Sequence, residues 1–217
     1  MHAWGMTEMS PIGTVNANTA SLRSLPEDQR YTLQQKQGRP VFGVDLKIID
    51  DEGNEQPRDG KAYGRLMVRG PWIIDTYYKA DKSALEDGWF DTGDVATIDP
   101  QNYMQIVDRS KDVIKSGGEW ISSIDLENAA VGHPDVAEAC VIGIPHEKWQ
   151  GRPLLICVLK DGATADKQSV LDYLEPQLAK FWMPDDVVFI DEIPKTSVGK
   201  MDKKVLRERY KVHQLGN

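Results

Sequence analysis

Asp108-Arg109-Ser110-Lys111-Asp112-Val113-Ile114-Lys115-Ser116-Gly117-Gly118 is where this 217-residue chain changes character. Before it, the pattern is that of strands. Asp45-Leu46-Lys47-Ile48-Ile49 alternates polar and apolar residues, and Gly64 to Gly70 reads as a second strand. Val95 to Asp99 and Tyr103 to Val107 read as a hairpin across Pro100-Gln101-Asn102, and Asp50 to Asn54 is a turn cluster. Residues 16 to 38 are a polar surface excursion with a helix from Pro26 to Lys36, and Tyr77 to Glu86 predicts a short helix ending before Gly88.

After Arg109, helices and strands alternate. Ser122 or Ser123 can cap a helix through Asp125, Glu127 and Ala130, with acidic residues suiting its positive end and Gly132 and Pro134 stopping it. Val136 to Ile144 and Leu154 to Leu159 read as strands. Asp166 can cap a helix with Val170, Leu171, Leu174 and Leu178 on one face, which Pro176 should kink or interrupt. Val187 to Ile190 is a short strand, and Asp202 to Tyr210 an amphipathic helix. A domain boundary is expected at residues 108 to 111.

The composition, 40% hydrophobic and 28% charged, is that of a soluble globular chain. A net charge of −8 argues against nonspecific nucleic-acid binding, although a nucleotide site needs only a few local cations. No apolar run approaches the ~20 residues that span a bilayer, and Met1 to Ser10 has neither the basic flank nor the apolar core of a signal peptide. Cys140 and Cys157 sit in apolar runs and read as buried thiols of a reducing compartment. His2, His133, His146 and His213 are scattered; none has the setting of a catalytic base, and no Cys/His spacing suggests a metal cage.

Four short stretches carry candidate chemistry, each with a plainer reading beside it. In Trp4-Gly5-Met6-Thr7-Glu8 an aromatic face suits a purine, Thr7 offers phosphate a hydroxyl, and Glu8 is a hard oxygen ligand for magnesium. The plainer reading is a turn with a packed Trp. In Asp91-Thr92-Gly93-Asp94 a carboxylate can accept both hydroxyls of a ribose, as dinucleotide folds do, or the stretch is a hairpin turn. Arg109 could reach ribose or phosphate with its planar fork, and Lys111 follows where the β-rich half ends. Asp108 to Lys115 could equally be a solvated linker. Gly117-Gly118 allows close approach of a thin ligand and also suits a type I′ turn. Lys200, in Pro194-Lys195-Thr196-Ser197-Val198-Gly199-Lys200, is a mobile cation that can follow charge as it shifts from carboxylate to phosphate, or one more surface Lys beside Lys195, Lys203 and Lys204.

In this order and spacing, the four stretches together resemble the adenylate-forming superfamily of acyl- and aryl-CoA synthetases, luciferases and adenylation domains. Within it, Lys115 to Ser123 is the discriminating run. Its Glu119-Trp120-Ile121-Ser122 looks like the medium- and long-chain fatty-acid–CoA ligase branch, where other branches carry Glu-Asn-Ile or a similar polar run. Trp4 to Pro11 points the same way.

The resemblance implies an α+β fold. Residues 1–108 would be a β-rich remnant of the large domain that binds ATP and acid, and 109–217 a small mobile C-terminal lid, with Lys111 at the hinge. It implies two half-reactions: a fatty acid attacks the α-phosphate of Mg·ATP to give acyl-adenylate and pyrophosphate, and the thiol of coenzyme A then displaces AMP. Trp4 would stack on adenine, Thr7 contact phosphate, Glu8 hold Mg²⁺, Asp94 hold the ribose with Arg109 close by, and Lys200 drive adenylation only. Gly117, Gly118 and Glu119 would belong to the face presented for the thioester step, with Trp120 as an apolar gate to the acyl pocket. The family's Ser/Thr/Gly-rich phosphate loop is absent from these 217 residues. The expectation is therefore a C-terminal portion, inactive alone or serving as a non-catalytic lid module. Its exposed remnant should favour a homo-oligomer or disorder in residues 1 to 40. An aryl or other acid–CoA ligase is the alternative parent. The setting would be cytoplasmic or peripheral at a membrane, with no nucleic-acid partner.

Overall fold

The computed structural model describes residues 2–213. The fold is α+β and rich in sheet, and the chain divides into two compact units, Met1–Ser110 and Lys111–Asn217.

The first unit opens with a small antiparallel sheet of β1 (His2–Gly5), β2 (Ile12–Asn16) and β3 (Arg39–Pro40). Between β2 and β3 lie the short helices α1 (Ala20–Arg23) and α2 (Glu27–Gln35). Thr19 caps α1, its hydroxyl accepting from the Leu22 amide, and Glu27 and Asp28 lie in the first turn of α2, where the helix dipole favours them. Asn16 anchors the excursion: its amide donates to the carbonyls of Leu33 and Lys36, at 2.6 and 2.9 Å. Residues 2 to 40 are thus folded, contrary to the expected alternative of disorder.

A five-stranded antiparallel sheet follows: β4 (Asp45–Ile49), β5 (Gly64–Arg69), β6 (Leu85–Glu86), β7 (Trp89–Ile98) and β8 (Met104–Arg109). β7 is its spine, pairing with β5 on one edge and with β6 and then β8 on the other. The inward residues Leu46, Ile48, Leu66, Val68, Phe90, Ala96, Ile98 and Met104 form the core. Each such large side chain contributes roughly 1.5–3 kcal/mol by burial. The expected helix over Tyr77 to Glu86 does not form. Asp75 gathers this stretch instead: its side chain accepts from Thr76 and Ser83, both at 2.9 Å, and its carbonyl accepts the Ala84 amide. Side chains that offer the backbone local partners outcompete helix where no apolar stripe demands one.

The second unit is built on β9 (Ile114–Ser116), β10 (Glu119–Ile121), β11 (Val136–His146), β12 (Gln150–Leu159) and β13 (Asp186–Phe189), the last parallel to β12. Helices α3 (Ser123–Val131), α4 (Lys167–Leu174) and α5 (Lys203–Arg209) cover it. Strand alternation sorts the side chains by face. Ala139, Val141, Leu155 and Cys157 pack with Leu126 and Ala130 of α3 and Val170 and Leu174 of α4. Cys140, Ile142, Leu154 and Ile156 face the other way, toward Leu206 of α5. The two free cysteines therefore belong to opposite faces, and burial pushes both thiols up to about 12. Ser122 and Asp166 cap α3 and α4 as expected, accepting from Asp125 and Ser169, and Asp202, expected as the first residue of α5, is instead its cap and accepts from Lys204 and Val205. α4 ends at Leu174, two residues before Pro176. Among the described residues, no helix is long and apolar enough to cross a membrane.

Candidate functional site

The first unit holds a buried carboxylate where the sequence allowed either a ribose grip or a hairpin turn. Asp91-Thr92-Gly93-Asp94 is not a hairpin turn; it lies inside β7 as a bulge. Arg65 pairs with Val95 and Met67 with Asp91, so three residues of β7 face Leu66 alone. Thr92 fills the gap, its hydroxyl donating to the Leu66 carbonyl at 2.9 Å and accepting the Asp94 amide at 3.1 Å. Gly93 takes φ +69, a left-handed conformation that suits glycine, and its amide donates to Asp91 Oδ1. Asp91 in turn pairs with Arg65.

The bulge turns Asp94 to face Arg109 across the β7–β8 ladder. Arg109 Nη1 lies 3.0 Å from Asp94 Oδ1, with the Asp94 side chain only 7% exposed and that of Arg109 53% exposed. Burial pushes the Asp94 carboxyl above the usual carboxylate range. The Arg109 charge and a hydrogen bond from the Trp4 indole pull it back, and the Asp91 charge adds to the rise. Trp4 is half-buried and leans on Gly13, where any Cβ would lie 2.7 Å from the indole. Trp4, Asp94 and Arg109 thus form one cluster.

Thr7 and Glu8 lie in the single 3₁₀ turn after β1, with Thr7 exposed and Glu8 half-buried. The Tyr77 hydroxyl donates to Glu8 Oε1 at 3.0 Å. Burial, the Glu8 hydrogen bond and the Glu8 charge all raise the Tyr77 phenol, so it stays a donor. Tyr77 was not among the residues the sequence singled out, and its place in a tyrosine pair at a loop gave no local signal. No group of three or more His, Cys, Asp or Glu among the described residues could cage a metal. A single carboxylate fits Mg²⁺, which keeps several waters and is held by one or two carboxylates together with substrate phosphates.

The second unit carries the remaining candidates on separate loops. Lys111 is exposed at its start, and the next residue, Asp112, pairs with Arg207 of α5 at 2.6 Å. Gly117 and Gly118, at φ +58 and +87, turn the chain between β9 and β10 as a type I′ turn demands. Glu119 is exposed, and Trp120 is half-buried opposite Lys115, whose ammonium lies 4.9 Å from the ring centroid. Lys200 closes a tight hairpin in which Lys195 bridges to Met201. Its amide donates to Thr196 Oγ1 and its carbonyl accepts from Thr196 N, while Gly199 takes φ +80. Nearby lysines are engaged, Lys195 with Glu138 at 3.0 Å and Lys203 with Glu127 at 2.7 Å; no such ion pair reaches Lys200 among the described residues.

The first unit thus holds a buried carboxylate fixed by a guanidinium and an indole N–H, with Glu8 on a nearby turn of the chain bonded to Tyr77. Comparison with known proteins gives the family. Residues 1–78 match the AMP-binding enzyme family and 125–200 the AMP-binding enzyme C-terminal domain. The chain belongs to the adenylate-forming, AMP-binding enzymes. It is 53% identical over 212 residues to a 3-methylmercaptopropionyl-CoA ligase from Ruegeria lacuscaerulensis, covering 97% of this chain and 39% of that protein. It is 48% identical over 212 residues to a long-chain-fatty-acid–CoA ligase from Thermus thermophilus, covering 96% and 39%. The crystal structure of ATP-bound MatB from Rhodopseudomonas palustris matches with a TM-score of 0.79 at 33% identity, over 98% of this chain and 41% of that one. The chain thus spans about two-fifths of the length of the curated relatives it matches.

Proposed function

We propose that this chain supplies the ribose grip and the mobile lid of an AMP-forming acid–CoA ligase. The observation that carries the reading is Asp94, a carboxylate buried at 7% side-chain exposure and held by Arg109. Arg109 and Trp4 offset the cost of burying this charge, and the acceptor positions they leave suit the vicinal hydroxyls of a nucleoside. In this reading Trp4 offers adenine its ring, Thr7 contacts phosphate, and Glu8, steadied by Tyr77, holds Mg²⁺ beside the phosphates. Residues 109–217 form the lid and Lys111 is the hinge. Lys200 neutralises the charge that develops as the acid's carboxylate attacks the α-phosphate and pyrophosphate departs. Gly117, Gly118 and Glu119 serve the second step, in which the thiol of coenzyme A attacks the acyl carbonyl and AMP leaves. Trp120 gates the acyl pocket.

The acid is an aliphatic one. Support comes from the run Glu119-Trp120-Ile121-Ser122 and from relatives named for long-chain fatty acids and for 3-methylmercaptopropionate. Self-association of the chain is a further expectation, which sedimentation across a concentration series would test.

The direct test is ATP–pyrophosphate exchange with acids from acetate to palmitate plus 3-methylmercaptopropionate. It would be run on the 217-residue chain and on a chimera in which the chain replaces its matching segment of the Thermus ligase. Acid-dependent exchange by the chimera, with little from the chain alone, is expected. A folded chimera that binds ATP yet exchanges with no acid would overturn the reading. Exchange by the chain alone would show that adenylation needs no further phosphate loop.

A further inference from the structure

Arg152, on β12, uses every donor it has. Nε and Nη2 both donate to Asp185 Oδ1, at 2.8 and 2.6 Å. Nη1 donates to Ser116 Oγ at 3.1 Å and to the Phe181 carbonyl at 2.8 Å, and Nη2 also reaches the Met183 carbonyl at 2.9 Å. That accounts for all five N–H groups of a guanidinium. The side chain is 12% exposed, a placement that is costly for a cation unless its donors are met.

Besides its own strand it joins two stretches far apart in sequence, Ser116 and the run from Phe181 to Asp185. Ser116 immediately precedes the Gly117-Gly118 turn. Phe181 and Met183 belong to the turn around Lys180–Trp182, and Asp185 leads into β13. An apolar side chain could fill the same volume but could not satisfy two turn carbonyls. Between these segments lies a cleft of about 340 Å³ whose walls include Ser116, Gly117, Trp149 and Phe181. The Gly117 amide donates to the Trp149 carbonyl at 3.0 Å, so the turn is tied to the far wall as well. A Cβ at Gly117 would come within 2.8 Å of the Trp149 ring, so this spacing is already tight.

We propose that Arg152 is a positioning residue that clamps the Gly117-Gly118 turn to the Phe181–Met183 turn and thereby sets the width of the cleft between them. Its importance for the thioester step rests on the functional reading above; the clamp does not.

Two readouts separate the two. Amide exchange by NMR on the 217-residue chain tests the clamp. In Arg152→Met, and in the double variant R152M/D185N that leaves no unpaired carboxylate, the amides of Gly117 and Trp182 should exchange about tenfold faster, while those of Val141 and Leu155 in the sheet should not change. Arg152→Lys keeps the charge on Asp185 but not the fork, so it should loosen Trp182 and rescue little. Uniform acceleration throughout Lys111 to His213, or no change at Gly117 and Trp182, would overturn the clamp. Kinetics of the chimera test its use. KM for coenzyme A should rise about tenfold in Arg152→Met with ATP–pyrophosphate exchange kept, and equal losses in both steps would overturn the positioning role. A wild-type chimera that adenylates but shows no coenzyme A-dependent step would defeat the functional reading alone, leaving the clamp to the exchange data.

Discussion

Asp94 and Lys200 carry opposite charges and are held in opposite ways. Asp94 is locked on a strand bulge, buried, and faced by Arg109. Lys200 stands exposed on a five-residue hairpin with no acidic partner among the described residues. A group that holds a ligand throughout a reaction gains from being fixed in advance, since the ordering cost is met on folding. A cation that must meet charge in one step and leave for the next gains from having no competing partner. On the proposed reading, rigid grip and free cation are two solutions for two kinds of work.

The largest effect should come from removing the free cation. In the chimera, Lys200→Ala should slow adenylation on the order of 10²–10³-fold and largely spare thioester formation from supplied acyl-adenylate. Equal loss in both steps would contradict a cation used in only one.

Breaking the grip comes next. Asp94→Asn should weaken AMP binding about 10- to 100-fold and leave binding of 2′,3′-dideoxy-AMP little changed, because a charged acceptor for the hydroxyls is lost. Stability should move the other way. The folded-state pKa of Asp94 is raised, so its contribution to stability is fully present below the unfolded pKa and is lost as pH rises through the folded one. At pH 7 the Asn variant should therefore melt no lower than wild type. A large drop in Tm would mean that the ion pair is structural rather than a ligand grip.

The same linkage gives a pH test. If Asp94 is the ribose grip proposed above, binding needs the ionised carboxylate, so affinity should fall as pH drops through the raised Asp94 pKa. Arg109→Gln removes the main influence opposing burial and should move that fall to higher pH. A carboxylate titration by NMR that does not shift would separate Arg109 from the grip.

Two smaller changes sharpen the contrast between held and free elements. Gly93 has open space around its Cβ position, so Gly93→Ala meets only the left-handed strain of φ +69, about 1–2 kcal/mol by thermal melting. Any greater loss would mean that the bulge is held by more than its own backbone. Trp120→Ala, at a half-buried position, should alter the chain-length preference among acids; identical kinetics across the panel would remove its gating role.

Much of the second unit was legible because its determinants are local. Ser122 and Asp166 cap the two helices that their side chains announce, and paired glycines at 117 and 118 turn the chain where only residues at ease with positive φ suffice. The apolar run from Val136 to Ile144 marked a strand, while which of its residues face which layer emerged only from the packing. The first unit was harder where local signals misled. Thr76, Asp81 and Ser83 sit in a stretch of helical length, yet Asp75 draws the chain into turns. Asp91 to Asp94 has the composition of a hairpin turn, yet it is a bulge within a ten-residue strand.

Residue type made Trp4, Glu8, Asp94, Arg109 and Lys200 candidates, and the resemblance their four stretches carry together implied the family and the α+β class. The burial of Asp94, the Tyr77 bond to Glu8 and the five donor contacts of Arg152 depended on folding, because they join residues 15 to 90 positions apart. Capping and turn chemistry act within a few residues and leave a mark in the sequence. Burial and long-range hydrogen bonds exist only once distant strands are brought together.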